Sequence, residues 1–484
     1  MVLANHEPKR VFHHFEAISQ IPRGSGNEKA VSDFVAAWAK DLGLKVVQDE
    51  LHNLIIYKPG TAGYENAPPL ILQGHLDMVC EKNADTDHDF LKDPIKLYVD
   101  GDFIKAKGTT LGADNGIAIA LCMAILEADD IPHPPLEAVF TSDEEAGMTG
   151  AMHIDPALLK GRRMCNLDSG SVGTYTAGSA AASTVHFDVQ AQWEDSADWD
   201  GLMITVKGLH GGHSGGDIKK ERGNAIRILG QVLNEIDKVT EVCIGEANGG
   251  MKVNAIPREA YAKVAVKDKA LAKAAVEKYF AVLKGFYRVA DPGLVVEVVD
   301  IDCPEVVTAR YETKSIIAAI LLLPYGVQMM SRDVEGLVAA SCNLGVLETF
   351  TDYTKDRIRI SCMARGASAE HITMVEDKVY ALAHIFGMEE LEFSHRSPAW
   401  AFNPESKILK AFTAYHEKMY GEVPHVTAMH GGLECGIFAE KLPGLDIVAC
   451  GPNMYDLHTP EERLSISSTQ AFWGFLRGVL GEIR

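Results

Sequence analysis

Three apolar runs of strand length in the first third of the chain each end in side chains that can hold a cation. Leu70-Ile71-Leu72-Gln73-Gly74 leads into His75-Leu76-Asp77, Leu136-Glu137-Ala138-Val139-Phe140-Thr141 into Ser142-Asp143-Glu144-Glu145, and Met164-Cys165-Asn166-Leu167 into Asp168. Helical patterns at 28–42, 117–127 and 156–159 alternate with these runs, and a further strand pattern lies at 54–57. Continuous apolar strands separated by helices specify an α/β domain with a mostly parallel sheet covered on both faces. Such a sheet collects its ligands at the carboxyl ends of its strands.

Two more clusters extend the pattern. Asp114-Asn115-Gly116 opens the helix beginning near 117, and His458 lies in Asn453-Met454-Tyr455-Asp456-Leu457-His458-Thr459-Pro460-Glu461-Glu462 near the other end of the chain. The α/β pattern returns there, with a helix at 406–420, an apolar strand at 447–449 and a helix at 467–481. His458 can join the earlier clusters only if residues 1–184 and 395–484 build one domain. The intervening 185–394 has another rhythm: helix, two strands, helix, strand, twice over. The first copy reads as 222–237, strands within 241–266, then 270–289 and 294–300; the second reads as 315–323, 336–347, 357–364, 369–386 and 390–394. Two such ferredoxin-like repeats fuse into one antiparallel sheet with helices on one face, an inserted α+β domain.

Each cluster has chemistry and an ordinary alternative. His75 and Asp77, two apart on an extended chain, point the same way, so Asp77 can bond the ring nitrogen of His75 that faces away from a metal; both could equally be solvated. Asp114 can bridge two cations with its two oxygens, or merely cap a helix. Of Glu144 and Glu145, one can bind metal while its neighbour faces the water to be activated; an acidic loop is the plainer reading. Asp168 supplies a third carboxylate and His458 a second imidazole. Together they make a ligand set for two divalent metals with one spare carboxylate.

Composition narrows the classes. A 484-residue chain that is 47% hydrophobic exceeds a single ordinary core, so two domains are expected. Asp and Glu number 67 against 46 Lys and Arg, a net charge of -21, which argues against nucleic acid or an anionic membrane as partner. Met1 to Pro8 carries no basic region followed by an apolar stretch, and no segment reaches the length of a membrane span, so a cytoplasmic protein is expected. Nine cysteines without CxxC spacing read as free, buried thiols, Cys80 among them as a packed small hydrophobe.

In order and context, His75-Leu76-Asp77, Asp114-Asn115-Gly116, Glu144-Glu145, Asp168 and His458 resemble the site of the co-catalytic zinc peptidase family of aminoacylases, carboxypeptidase-G-like enzymes and carnosinases. The resemblance runs over the full length. It implies His75 and Asp168 on one metal, Glu145 and His458 on the other, and Asp114 bridging, with Asp77 orienting His75 and Glu144 as general base. It implies a cis peptide bond after Asp114, a lid domain at 185–394 whose catalytic His213 joins a metal in polarising the scissile carbonyl, and homodimerisation through that domain. Asn254, Arg365 and Gly432 follow as substrate-binding residues, whereas His210 and His430 read as loop histidines beside glycines. Nitrogen and oxygen donors in this mixture favour Zn2+, with Co2+ or Mn2+ able to substitute.

The activity implied is hydrolysis of unblocked dipeptides, Xaa-His and β-alanyl-histidine foremost, by a metal-bridged water that Glu144 activates. An aminoacylase or tripeptidase of the same clan is the alternative. A catalytically silent peptide-binding homologue is a third, disfavoured because Glu144 and every ligand are retained.

Overall fold

The computed structural model describes residues 2–196, 198–350, 357–387 and 391–484. The chain divides into two units, one of Met1–Gly178, Phe402–Ala428 and Leu433–Arg484, the other of Ser179–Ala401 and Met429–Gly432.

In the first unit an eight-stranded sheet runs in the order Lys45–Gln48, Leu54–Lys58, Leu136–Thr141, Leu70–His75, Arg163–Asn166, Asp446–Ala449, Thr174–Ser179, His425–Met429. The middle four strands are parallel, and Lys45–Gln48 and Leu54–Lys58 extend them antiparallel at one side. Leu70–His75 and Leu136–Thr141 are buried at every position, which is why they read as unbroken apolar runs. Helix Ala113–Leu126, whose backbone is non-helical at Asp114 and Asn115, is apolar almost all round and buried accordingly. It lies so close to strand Leu70–His75 that a Cβ on Gly74 would collide with Asn115 Oδ1 and Ala118 Cβ. The C-terminal segment enters the sheet as Asp446–Ala449 and then forms a hairpin, Met454–Tyr455 with Arg463–Ser465, that pairs onto Phe103–Ala106.

The second unit holds a nine-stranded sheet, antiparallel in its described pairings, ordered Val295–Ile301, Asp200–Lys207, Ala260–Val266, Val242–Gly249, Val338–Phe350, Arg357–Gly366, Ala181–Gln190, Glu392–Ser397, with Gly326–Met330 beside Val338–Phe350. Two ferredoxin-like repeats are present, joined where Gly249 meets Leu347. Each opens with a strand that the sequence pattern did not disclose. Asp200–Lys207 starts the repeat containing helices Ala225–Asp237 and Lys269–Tyr287. Ala181–Gln190 starts the one containing Arg310–Leu322 and Ala369–Ile385, so the first repeat is nested inside the second. That nesting moves the unit boundary from the expected 184/185 to 178/179, because Ala181–Gln190 is a full member of this sheet. The expected strand at 390–394 begins outside the described residues and is seen as Glu392–Ser397.

All nine cysteines are free; seven are buried, but Cys80 is exposed rather than packed, because it follows the strand end in an open loop. Among the described residues no helix is long and apolar enough to cross a membrane.

Candidate active site

Parallel register brings the strand ends level. His75 lies opposite Thr141 and Gln73 opposite Asn166, so the turns after these strands deliver Asp77, Glu144, Glu145 and Asp168 to one edge. Asp77 Oδ1 is 3.2 Å from His75 Nδ1. The same carboxylate accepts the Ser25 hydroxyl at 2.7 Å and the backbone N–H groups of Glu144 and Glu145, each at 3.1 Å. One side chain therefore fixes both the His75 ring and the turn carrying the two glutamates. Burial alone would raise the Asp77 carboxyl, but the bonds from His75 and Ser25 outweigh it and hold it at about 2.

The other ring nitrogen of His75, Nε2, is 3.3 Å from Asp114 Oδ1, 3.8 Å from Asp168 Oδ1 and 4.0 Å from Glu144 Oε2. Asp114 Oδ2 is 3.4 Å from His458 Nε2, which lies 3.0 Å from Glu145 Oε1. Ligand-type atoms of His75, Asp114 and Asp168 thus fall within 4.8 Å of one another, as do those of Asp114, Glu145 and His458. Asp114 belongs to both groups and faces a different imidazole with each oxygen. The Asp114-Asn115 peptide bond is cis. Asn115 Oδ1 accepts the His75 N–H at 3.1 Å, and its Nδ2 donates to Leu167 O at 3.1 Å, anchoring the loop to two strands. His458 reaches the cluster from the hairpin turn between Met454–Tyr455 and Arg463–Ser465, where Asp456 (φ 52°) and His458 (φ 62°) are left-handed.

Five carboxylates against two imidazoles make the cluster strongly negative. Burial opposes charge on His75, yet Asp114, Asp77 and the nearby acids hold its pKa well above the ordinary value. His458 is pushed up to about 10 by the carboxylates of Asp114 and Glu145 beside it. Glu144 is raised to about 8 by burial and by repulsion from Glu434, Glu145 and Asp114, with His75 pulling the other way. Asp168 is raised well above its usual range by burial and by Asp114, whereas Asp114 is held below it by both imidazoles despite burial. Glu145 Oε1 is buried with no hydrogen-bond donor of good geometry. Mixed imidazole and carboxylate donors, converging and short of positive charge, fit divalent cations.

Three supporting residues have no local signal in the sequence. Glu462 accepts the backbone N–H groups of Leu111, Gly112 and Asp114, bonds of about 1.5–3 kcal/mol each when the acceptor is ionised. Buried Arg23 donates to Leu76 O at 2.9 Å, to Asp77 O at 2.8 Å and to Gly112 O. Glu434 accepts from Gln73 Nε2 at 2.6 Å and Thr141 Oγ1 at 2.7 Å, and burial raises its carboxyl to about 7.

The profile of the peptidase family M20/M25/M40 matches residues 71–480. The cytosol non-specific dipeptidase of Escherichia coli (strain K12) is 34% identical over 487 residues, covering 99% of each chain.

The chain belongs to the M20/M25/M40 peptidase family.

Among solved structures, the aminoacylhistidine dipeptidase of Vibrio alginolyticus aligns over 100% of this chain and 98% of its own, with 36% identity and a TM-score of 0.87. Aminopeptidase PepT from Bacillus cereus ATCC 10987, at 16% identity and a TM-score of 0.58, covering 99% of each chain, shares the fold.

The second unit of this M20/M25/M40 peptidase gathers the remaining expected residues. Strand Gly212–His213 pairs with Ala255–Ile256, and Asn254 O accepts the Ser214 N–H at 2.9 Å. Arg365, 5% exposed on strand Arg357–Gly366, places Nη2 3.3 Å from His213 Nε2 and donates from Nε to Ser214 Oγ at 3.2 Å. Gly215 and Gly216 N–H both donate to His213 Nδ1, so the neutral ring carries its proton on Nε2. Two donors then face each other, and burial alone lowers the guanidinium to about 10 with no acid to offset it. Such a pair can donate together to an oxygen acceptor. Gly432 lies in the Met429–Gly432 segment of this unit. His430 does lie in the bend after His425–Met429, but it is buried there, with Nε2 2.8 Å from Ser341 Oγ on strand Val338–Phe350. His210 is exposed, as a loop histidine should be.

Proposed function

We propose that this peptidase is a metal-dependent dipeptidase acting on unblocked dipeptides, with Xaa-His dipeptides such as β-alanyl-histidine among its substrates. The observation that carries this is Asp114, whose two oxygens face His75 Nε2 and His458 Nε2 at 3.3 and 3.4 Å. His75 and Asp168 hold one cation, Glu145 and His458 the other, and Asp114 serves both. Zn2+ suits these donors best, with Co2+ or Mn2+ as substitutes. The two cations, when bound, supply the charge that acidifies water and draws electrons from a carbonyl.

Glu144 takes the proton of the attacking water and passes it to the leaving amine, a task suited to a carboxylate whose surroundings raise its proton affinity. Asp77 keeps the His75 ring in place. Arg365, with Asn254 and Gly432, holds the dipeptide, the guanidinium taking its carboxylate, while the Nε2–H of His213 polarises the scissile carbonyl. The full-length likeness to a cytosol non-specific dipeptidase and an aminoacylhistidine dipeptidase supports this substrate class. A cytoplasmic homodimer joined through the second unit completes the proposal.

A panel of free and N-blocked dipeptides, assayed with and without chelator, tests it. Cleavage of His-ended free dipeptides is expected to vanish with chelator and return with zinc. Poor cleavage of His-ended dipeptides against the rest sinks the substrate assignment, and indifference to chelator sinks the metal assignment.

Loading with zinc should also expel protons. Without cations His458, at about 10, holds a proton at pH 7, and the carboxylates around His75 shift it in the same direction. A ligating imidazole must be neutral and a ligating carboxylate ionised, and Asp168 is also shifted toward its protonated form, so protons leave as the two cations bind, and affinity rises with pH. Calorimetry in buffers of different ionisation heat counts them; a count of zero contradicts the ligand assignment.

A further inference from the structure

Glu462 is 2% exposed, and both of its oxygens are spent on the loop that carries Asp114. Oε2 accepts the N–H of Leu111 at 2.7 Å and of Gly112 at 2.9 Å, and Oε1 accepts the N–H of Asp114 itself at 3.2 Å. Its own N–H donates to Thr459 O at 3.0 Å, closing the turn that immediately follows His458. The Thr459 hydroxyl in turn donates to Asp456 O at 2.7 Å. One carboxylate therefore joins the Asp114 loop to the His458 turn.

The opposite side of that loop is held by other groups. Arg23 links Gly112 O to Leu76 O and Asp77 O, and Asn115 links the loop to the His75 N–H and to Leu167 O. Asp114 thus has one set of tethers on its His75 side and a separate one on its His458 side.

We infer that Glu462 is a positioning residue that sets the placement of His458 against Asp114, and so controls the cation held by Asp114, Glu145 and His458 without controlling the one held by His75 and Asp168. This rests on the ligand assignment proposed above. In Glu462→Gln an amide N–H₂ would face backbone N–H donors, and donor against donor opens the contact. The His75 side keeps Arg23 and Asn115.

Zinc titration of the chelator-stripped full chain tests the inference. Wild type is expected to take two zinc ions tightly. Glu462→Gln is expected to keep one at wild-type affinity and to bind the other 10–100-fold more weakly, on the order seen when groups supporting a ligand are removed. A purely structural role would weaken both together. If Glu462→Gln does not fold, Glu462→Asp, which keeps the charge but withdraws the carboxylate by one methylene, is read in the same way. Equal weakening of both ions, or none, overturns the inference. Wild type that takes fewer than two ions overturns instead the assignment beneath it.

Discussion

Glu144→Gln should lower kcat by roughly 10²–10⁴-fold, about 3–5 kcal/mol of barrier, while zinc content and KM stay at wild-type values. The substitution keeps the shape of the side chain and removes its ability to take a proton. It also relieves repulsion, since Glu144 sits buried among Glu434, Glu145 and Asp114. The fold should lose nothing, and the metal-free protein should melt no lower than wild type. Zinc analysis is decisive because Glu144 also lies within ligand distance of His75 and Glu145. Loss of zinc would make it a ligand, and near wild-type turnover would end its role as base.

Asp114→Ala should abolish both zinc occupancy and hydrolysis, leaving the activity of chelated wild type. Each of the two ligand groups counts Asp114 as a member, and its two oxygens lie 3.3 and 3.4 Å from the two imidazoles. Removing it leaves each cation one donor short of a three-residue set and removes the charge between them. The loop itself should persist, because Glu462 and Arg23 hold its backbone rather than the lost side chain. A variant that retains two zinc ions would refute the shared-ligand assignment; one that is stripped but folded, by circular dichroism and gel filtration, supports it.

Much of the site was legible because parallel strands write it into local sequence. An apolar run ending in His75, Glu144 or Asp168 announces a buried strand and its carboxyl end together, and all three meet at one edge. The same logic located strand Asp446–Ala449 and so brought the C-terminal segment back to the first unit. Glu462, Arg23 and Glu434 were illegible for the converse reason: each acts on backbone or side chains remote in sequence, and no periodicity marks a carboxylate that accepts from a distant loop. Cys80 was misjudged because burial statistics describe cysteines in general, whereas its place after the strand end leaves it exposed.

Hydrophobic periodicity and the residues at strand termini, both local properties of the chain, determined most of the strand segments and which side chains at their ends could serve a cation. Pairing was decided elsewhere. The nesting of one ferredoxin-like repeat inside the other through Ala181–Gln190, the two opposed oxygens of Asp114, and the hairpin that swings His458 into place all depend on hydrogen bonds between residues far apart in the chain. Such contacts form only when the whole backbone has closed, because a strand's own residues state that it will pair but not with which partner.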